Sequence, residues 1–223
     1  MFYKALGKGA YACNGGRARW KVPKDGQPGE WMPSIKGKLV PCKNGYHLCK
    51  RGQLVKWLGP TLYTAEARGD IVYSESKVVA QQARLLQKLT NWSPRVQRLF
   101  ACDCAEHVQP ENTDSRYLEV IAVARRYAEG QATNEELGVA KLAVGDTVRT
   151  MASLAAWDAT GDAAWAAAWL AARAGRLAAM RDAVENTMWV TAWGEERHGM
   201  KAAAWEAERR WQTERLFYYL GEE

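Results

Sequence analysis

Residues 93–104 read SPRVQRLFACDC, and the pattern of the chain changes at this stretch. A serine hydroxyl can cap a helix and proline is favoured at the first helical position, so Ser93 and Pro94 predict a helix start. Apolar residues then recur on one helical face. We therefore expect a basic β-rich module with a linking helix over residues 1–93, and a helical domain over residues 94–223.

The region before this stretch carries the signals of short strands and tight turns. We predict a small antiparallel sheet of about five strands, with one or two helical turns at residues 53–58. Residues 68–70 are expected to form the turn between the last two strands, and from residue 76 the apolar spacing predicts the linking helix. The candidate strand segments are residues 3–6, 18–22, 35–40, 46–49, 61–64 and 71–73.

The region after this stretch is helical in pattern. Gly130 ends one predicted helix, Thr133 and Glu136 form a capping box at the start of the next, and a final helix ends near Gly221. Alanines let helices approach closely and indoles fill the gaps, so we expect core positions for Trp157, Trp165, Trp169, Trp205 and Trp211. The predicted fold class is α+β: a small antiparallel β-rich N-terminal module followed by an Ala/Trp-rich α-helical bundle.

The charge divides unevenly between the two regions. Residues 1–93 carry sixteen lysines and arginines against five acids, whereas residues 94–223 carry fifteen against twenty, and the whole chain has a formal net charge of +6. A basic surface raises the local concentration of phosphates and carboxylates. The basic module is therefore expected to bind an anionic partner, and the acidic module to stabilise the fold or supply the interface of a homo-oligomer.

Length and composition exclude several classes of protein. With 223 residues, of which 48% are hydrophobic and 25% charged, the composition is globular. The chain contains no run of about 18 apolar residues, so no membrane segment is expected. The first residues lack the apolar core of a signal peptide, and the five cysteines are an odd number, so we expect reduced thiols in the cytoplasm.

Several stretches are similar to a known family. Residues 98–108 (RLFACDCAEHV), 120–130 (VIAVARRYAEG) and 211–216 (WQTERL) resemble the Imm-5-like immunity-protein domain. Residues 45–49 (GYHLC), 57–63 (WLGPTLY) and 77–86 (KVVAQQARLL) resemble the module that often precedes it in uncharacterised proteins of bacteriophages and actinobacteria. The resemblance implies a small β-containing module before a helical one, and a phage origin implies interference with a host process. It carries over no catalytic residue.

Thiols and imidazoles, the natural ligands of zinc, occur in two clusters along the chain. The clusters are Cys42, His47 and Cys49, and Cys102, Cys104 and His107. Their spacings differ from the Cys-x2-Cys pairs of common zinc sites, and residues two apart on a helix point about 200° from each other. We therefore predict neither a metal site nor a cofactor, and we expect Cys104 to be a core residue.

Two histidines raise the alternative of an enzyme acting on nucleotides or nucleic acid. An imidazole can deprotonate a nearby thiol, which makes His47 beside Cys49 a candidate base. Asp103 and His107 are four residues apart on the predicted helix and could act as a pair. The sequence contains no phosphate-binding loop, deaminase motif or cysteine-protease signature. Such histidines are more often packing or surface residues, so we expect no catalytic residue and a non-enzymatic protein.

Cations and aromatic residues alternate in the N-terminal module, an arrangement that suits phosphate contact together with base stacking. The alternative is that Trp20 and Trp57 lie in the core while the lysines form a solvated face. No helix-turn-helix, zinc-finger or RNP motif indicates sequence-specific reading. The predicted binding residues are Arg17, Arg19, Trp20, Lys36, Lys38, Lys43, His47, Lys50, Arg51 and Trp57.

Together these features predict a phage-type accessory binding protein in the cytoplasm of the host cell. Its anionic partner is expected to be nucleic acid, a phosphorylated small molecule such as a nucleotide, or the acidic surface of a host protein, and its action to interfere with a host process or defence. Two alternatives remain: the enzyme described above, and an immunity-type inhibitor of one protein target. The salt dependence of the affinity distinguishes these functions. Phosphate binding weakens steeply as the salt concentration rises, whereas a protein–protein complex is expected to weaken only modestly.

Overall fold

The computed structural model describes residues 1–13, 16–107, 115–143 and 194–222. The chain divides into two units, Met1–Trp92 and Ser93–Glu223. An antiparallel sheet occupies the first unit and helices the second, so the prediction of an α+β fold is confirmed. Trp157, Trp165 and Trp169 lie outside the described residues.

The sheet of the first unit has four antiparallel strands in the order β1-β3-β4-β2. The strands are β1 (Phe2–Leu6), β2 (Tyr46–Leu48), β3 (Thr61–Tyr73) and β4 (Val78–Lys88). Two 3₁₀ helices lie between them, at Lys8–Ala10 and Arg51–Trp57. The second of these confirms the helical turns that the sequence predicts at residues 53–58.

Strand β4 is paired along both of its edges. On one edge it pairs with β3, with register shifts between Thr64 and Ala65 and between Arg68 and Ile71. On the other edge lie β2 and residues 29–35, where three backbone amides donate to carbonyls of β4 over 2.8 to 3.0 Å. A glycine at position 29 permits this path, because a Cβ there would lie 2.2 Å from the carbonyl oxygen of Lys21.

The prediction of a linking helix from residue 76 was wrong, since β4 occupies this segment. Its glutamines, alanines and leucines are compatible with a helix, but helix propensity is a weak preference that tertiary pairing overrides. Here the backbone bonds on both edges, and Ala83 and Leu85 are buried while Arg84 between them is half-exposed. This two-residue alternation is typical of a strand.

Strand β3 is continuous where the sequence predicts two strands around residues 68–70. The register shift between Arg68 and Ile71 accommodates Gly69, whose φ is 75°, and the chain reverses later, at residues 74–77. Residues 18–22 and 35–40 contribute only isolated bridges, Tyr11 with Arg19 and Val40 with Asn44. Apart from Ile35, whose amide donates to Gln81 of β4, they bond to nearby loop residues, so four strands form rather than about five.

The core of the first unit draws side chains from all four strands and from the loops. Leu6, Leu48 and Leu85 are fully buried. Trp20 packs edge-on against Tyr46, with ring centroids 5.5 Å apart. Trp20 is therefore a core residue, and its position fixes the loop that carries it against the sheet.

The described helices of the second unit begin and end at local signals. They are α1 (Pro94–His107), α2 (Ser115–Ala128), α3 (Asn134–Ala143) and α4 (Gly194–Leu220). The Ser93 hydroxyl accepts the Val96 amide at 3.3 Å, and Thr133 and Glu136 make the reciprocal bonds of a capping box. Gly130 follows α2 with a φ of 75°. These predicted boundaries are confirmed, and no described helix is long and apolar enough to cross a membrane.

Candidate functional site

A cavity of about 540 Å³ opens in the first unit, beside β1 and β2. Its walls come from these two strands, from the loop that carries Trp20, from the turn before β2, and from Trp57 and Lys77. Trp20, Tyr46 and Trp57 supply an aromatic lining. The cavity thus combines flat apolar surfaces with the polar groups described next.

The charge of this cavity is one-sided. Four cationic side chains line it, and none of its described lining residues is an aspartate or glutamate. Three of the four lie at least partly in solvent, but the fourth is only 9% exposed. These cations are Lys4, Arg17, Lys43 and Lys77.

Lys4 is the buried member of the set. Its Nζ donates to the carbonyl oxygen of His47 at 2.9 Å and lies 5.0 Å from the centroid of the Trp20 ring. No carboxylate among the described residues forms an ion pair with it. Burial lowers the pKa of Lys4, and the neighbouring thiols of Cys13 and Cys49 offset this effect only in part.

Lys77 forms a second pair of a lysine and an indole on the same cavity. Its Nζ lies 4.0 Å from the centroid of the Trp57 ring and donates to Sγ of Cys42 at 3.1 Å. The Trp57 ring is held in turn, because its Nε1 donates to the carbonyl oxygen of Ser76 at 2.7 Å. The ammonium group of Lys77 is therefore fixed in direction, while its side chain stays half-exposed.

His47 is held in one tautomer by backbone groups. Its Nε2 accepts the amide of Cys42 at 2.8 Å, and a backbone hydrogen bond to Gly45 engages the ring as well. Burial lowers the pKa of His47, and the charges of Lys4 and Lys77 lower it further. The ring is therefore neutral near pH 7 with its proton on Nδ1, and its Nε2 lone pair is already used.

The thiols of the first unit also border the cavity. Cys49 is buried, which raises the pKa of its thiol to about 12, whereas Cys42 is exposed. Cys13 is half-buried and donates to the carbonyl oxygen of Ala5 at 3.4 Å. Across the described part of the chain, no group of three or more His, Cys, Asp or Glu residues is placed to hold a metal ion.

Half of the predicted binding residues meet at this cavity. Those that line it are Arg17, Trp20, Lys43, His47 and Trp57. The structure places the other five elsewhere. Arg19 lies over the Tyr11 ring and Lys50 over the Tyr73 ring, while Lys36, Lys38 and Arg51 are exposed on the surface.

Sequence reasoning missed Lys4 and Lys77. Lys4 is one polar residue in a short strand, and Lys77 precedes a segment predicted as helix. The only available signal for Lys4 was its position between the apolar residues Tyr3 and Ala5. Residues two apart in a strand share a face, so Lys4 also lies on the same face as the apolar residues Phe2 and Leu6, which places one charged side chain beside the core.

A second cluster of charges lies in the helical unit, around Asp103 of α1. This carboxylate is 6% exposed and accepts hydrogen bonds from Arg125 at 2.8 Å, Arg215 at 2.5 Å and the Tyr219 hydroxyl at 2.7 Å. Arg125 also donates to Glu106 at 2.5 Å. Three helices, α1, α2 and α4, are thereby joined through one buried carboxylate.

His107 has a different partner from the predicted one. Its Nδ1 lies 2.7 Å from Oε2 of the buried Glu208, whose other carboxylate oxygen accepts Gln212 at 2.6 Å. Its ring stacks on Trp211 with centroids 3.7 Å apart. Asp103 and His107 therefore do not bond to each other: the partners of Asp103 lie on α2 and α4, and the partner of His107 is Glu208 of α4.

Comparison with known proteins adds no relative: no protein-family model matches the chain, and no curated protein or solved structure matches it either. The similarity to the Imm-5-like domain and to its preceding module stays a prediction.

Proposed function

We propose that the first unit binds a small anionic molecule in the cavity beside β1 and β2. The observation that carries this proposal is the lining itself, with four cations and no carboxylate among the described residues. Like charges held close together repel one another, and an anion among them removes the repulsion. A ligand with a phosphate or carboxylate group supplies that anion.

The size of the cavity favours one class among the expected anionic partners. Small-molecule sites enclose roughly 300 to 1,000 Å³, and this cavity measures about 540 Å³. That volume suits a phosphorylated small molecule, up to a mononucleotide, better than a nucleic-acid strand or a protein surface. The aromatic walls of Trp20 and Trp57 offer apolar contact to the uncharged part of such a ligand.

Binding without catalysis is the activity that these contacts favour. His47, the candidate base of the sequence, already accepts the Cys42 amide through Nε2, and a base must offer that lone pair to its substrate. We further propose, on the basis of the similarity to phage modules, that capture of the ligand interferes with a host process. An immunity-type inhibitor of one protein target is the competing function.

The direct test begins with native mass spectrometry of the full chain purified from bacterial cells. A co-purifying small anion supports the proposal. Calorimetric titrations with inorganic phosphate, AMP and a short single-stranded oligonucleotide then define the partner, at about 0.05 M and 0.2 M salt. We expect AMP or phosphate to bind the chain one to one, and the oligonucleotide to bind no more tightly than AMP.

Charge reversal within the cavity provides the matched comparison. Lys77→Glu is expected to weaken AMP binding by at least about tenfold, which corresponds to about 1.4 kcal/mol. Lys88→Glu makes the same charge change at an exposed position outside the cavity lining and is expected to change the affinity less than about twofold. Equal effects of the two variants, or binding only to the oligonucleotide, would overturn the proposal.

A further inference from the structure

The buried lysine of the cavity differs from the other three cations in what surrounds its amine. Lys4 lies on β1, where it is paired in register with Tyr63 of β3, so its backbone is fixed by the sheet. Its Nζ donates to one backbone carbonyl and faces an indole. Neither neighbour carries a negative charge that would hold the third proton of an ammonium group.

We infer that Lys4 is a nucleophile that captures an anionic aldehyde or ketone as an imine, with the carbonyl carbon of the ligand bonded to Nζ. This inference rests on the proposed function, because the same cavity must first bind the anionic group. It assigns the ligand two chemical features: a phosphate or carboxylate, and a reactive carbonyl at the other end.

The division of roles among the cations supports this assignment. Lys77 is fixed over Trp57, while Arg17 and Lys43 are exposed at the cavity, so these three are placed to hold an anion that enters from solvent. Lys4 is the innermost of the set. A ligand anchored by its anionic group therefore presents its far end to the Lys4 amine.

The environment of Lys4 also favours the reactive form of its amine. An ordinary exposed lysine is almost wholly ammonium at neutral pH, and only the neutral amine attacks a carbonyl. Burial lowers the pKa of Lys4, and the described lining of the cavity contains no carboxylate that would raise it again. The thiols of Cys13 and Cys49 are the neighbouring groups that act in the other direction.

The chemistry requires no further reactant. The lone pair of Nζ attacks the carbonyl carbon, one of the two amine protons passes to the carbonyl oxygen, and a carbinolamine forms. Loss of that oxygen as water, with the remaining amine proton, leaves the carbon–nitrogen double bond of the imine. Nothing is oxidised or reduced, and addition of water reverses the step. The Trp20 ring excludes water from one side of the amine, which slows that reversal.

Reductive trapping tests the inference on the full chain. The probe is pyridoxal 5′-phosphate, which carries both an aldehyde and a phosphate, and sodium cyanoborohydride converts its imine to a stable secondary amine. Peptide mass mapping at a probe concentration below that of the protein is expected to place the label on Lys4 at least about tenfold faster than on the exposed Lys8.

Two variants separate this inference from the proposed function. Lys4→Arg keeps a positive charge but has no amine that can form an imine, so it is expected to lose the label, whereas Lys8→Arg is expected to keep both the label and phosphate binding. Lys77→Glu is expected to lose both phosphate binding and labelling. Labelling of the wild-type lysines in proportion to their exposure, with phosphate binding intact, would overturn the inference and leave the proposed function standing. If the wild-type chain does not bind phosphate, both the inference and the proposed function are overturned.

Discussion

Lys4 and Asp103 are buried to nearly the same extent, at 9% and 6% exposure, yet their surroundings are opposite in kind. Asp103 meets two guanidinium groups and a hydroxyl. Lys4 meets one backbone carbonyl and the face of an indole. One charge is balanced inside its own unit, and the other has no carboxylate partner among the described residues.

This difference indicates that Asp103 stabilises the fold, whereas Lys4 is placed to contact a ligand. Removing an ion from water is unfavourable unless nearby groups compensate for the lost hydration. For Asp103 the compensating groups come from α2 and α4, so the carboxylate links helices. For Lys4 they are incomplete, and the amine borders an open cavity. The same degree of burial therefore indicates structure in one unit and binding in the other.

The largest effect is expected from removing the balanced charge. Asp103→Ala leaves Arg125 and Arg215, which are partly exposed, without their shared carboxylate, and the loss of the charge-assisted hydrogen bonds is expected to cost about 3 kcal/mol. Denaturant unfolding of the full chain, followed by circular dichroism, measures the loss. Glu106→Ala removes an exposed carboxylate that also contacts Arg125 and is expected to cost less than about 1 kcal/mol. Similar losses for the two variants would contradict the role of Asp103.

A smaller loss of stability is expected from removing one hydrogen bond to Asp103. Burial and the bond to Asp103 raise the pKa of Tyr219, which keeps its hydroxyl protonated and donating. Tyr219→Phe deletes this donor and is expected to lower the free energy of unfolding by about 1.5 kcal/mol. Tyr218→Phe, at the exposed neighbouring ring, provides the control and is expected to change stability by less than about 0.5 kcal/mol.

The smallest effect, and one of opposite sign, is expected at Lys4. Lys4→Met replaces the incompletely compensated amine with an apolar side chain of similar length, which is expected to raise the free energy of unfolding by about 1 kcal/mol while weakening anion binding. Lys8→Met is the exposed control. A loss of stability in Lys4→Met as large as that in Asp103→Ala would remove the contrast between the two sites.

The same variant predicts a dependence on pH. The pKa of Lys4 is lower in the folded protein than its ordinary value of 10.5, so between these two values the unfolded chain holds a proton that the folded chain has lost. Stability contributed by this residue therefore rises with pH in that window. The advantage of Lys4→Met over the wild type is expected to shrink as pH approaches 10.5. Unfolding curves of both proteins at several pH values measure this difference.

The sequence predicted best what depends on neighbouring residues. Ser93 with Pro94, and Thr133 with Glu136, mark helix starts through bonds within three or four positions, and both are present in the structure. β4 was predicted as a helix because its strand character comes from partners elsewhere in the chain. Half of the predicted binding residues, chosen for their basic and aromatic character, line the cavity. Lys4 was not, since its burial is produced by residues such as Trp20 and His47 that are distant in sequence.

The pairing of β1 has a consequence for how the chain acquires its structure during synthesis. Phe2 pairs with Ala65 and Leu6 with Thr61, so this strand must wait for its partner while the ribosome adds the intervening residues. At about 5 to 20 residues per second the delay is about 3 to 12 seconds. Among the paired strands, only β3 and β4 are consecutive along the chain, and their hairpin is the local element on which the earlier strands can later assemble. Lys4 therefore pairs with Tyr63 only after more than a quarter of the 223 residues have been made.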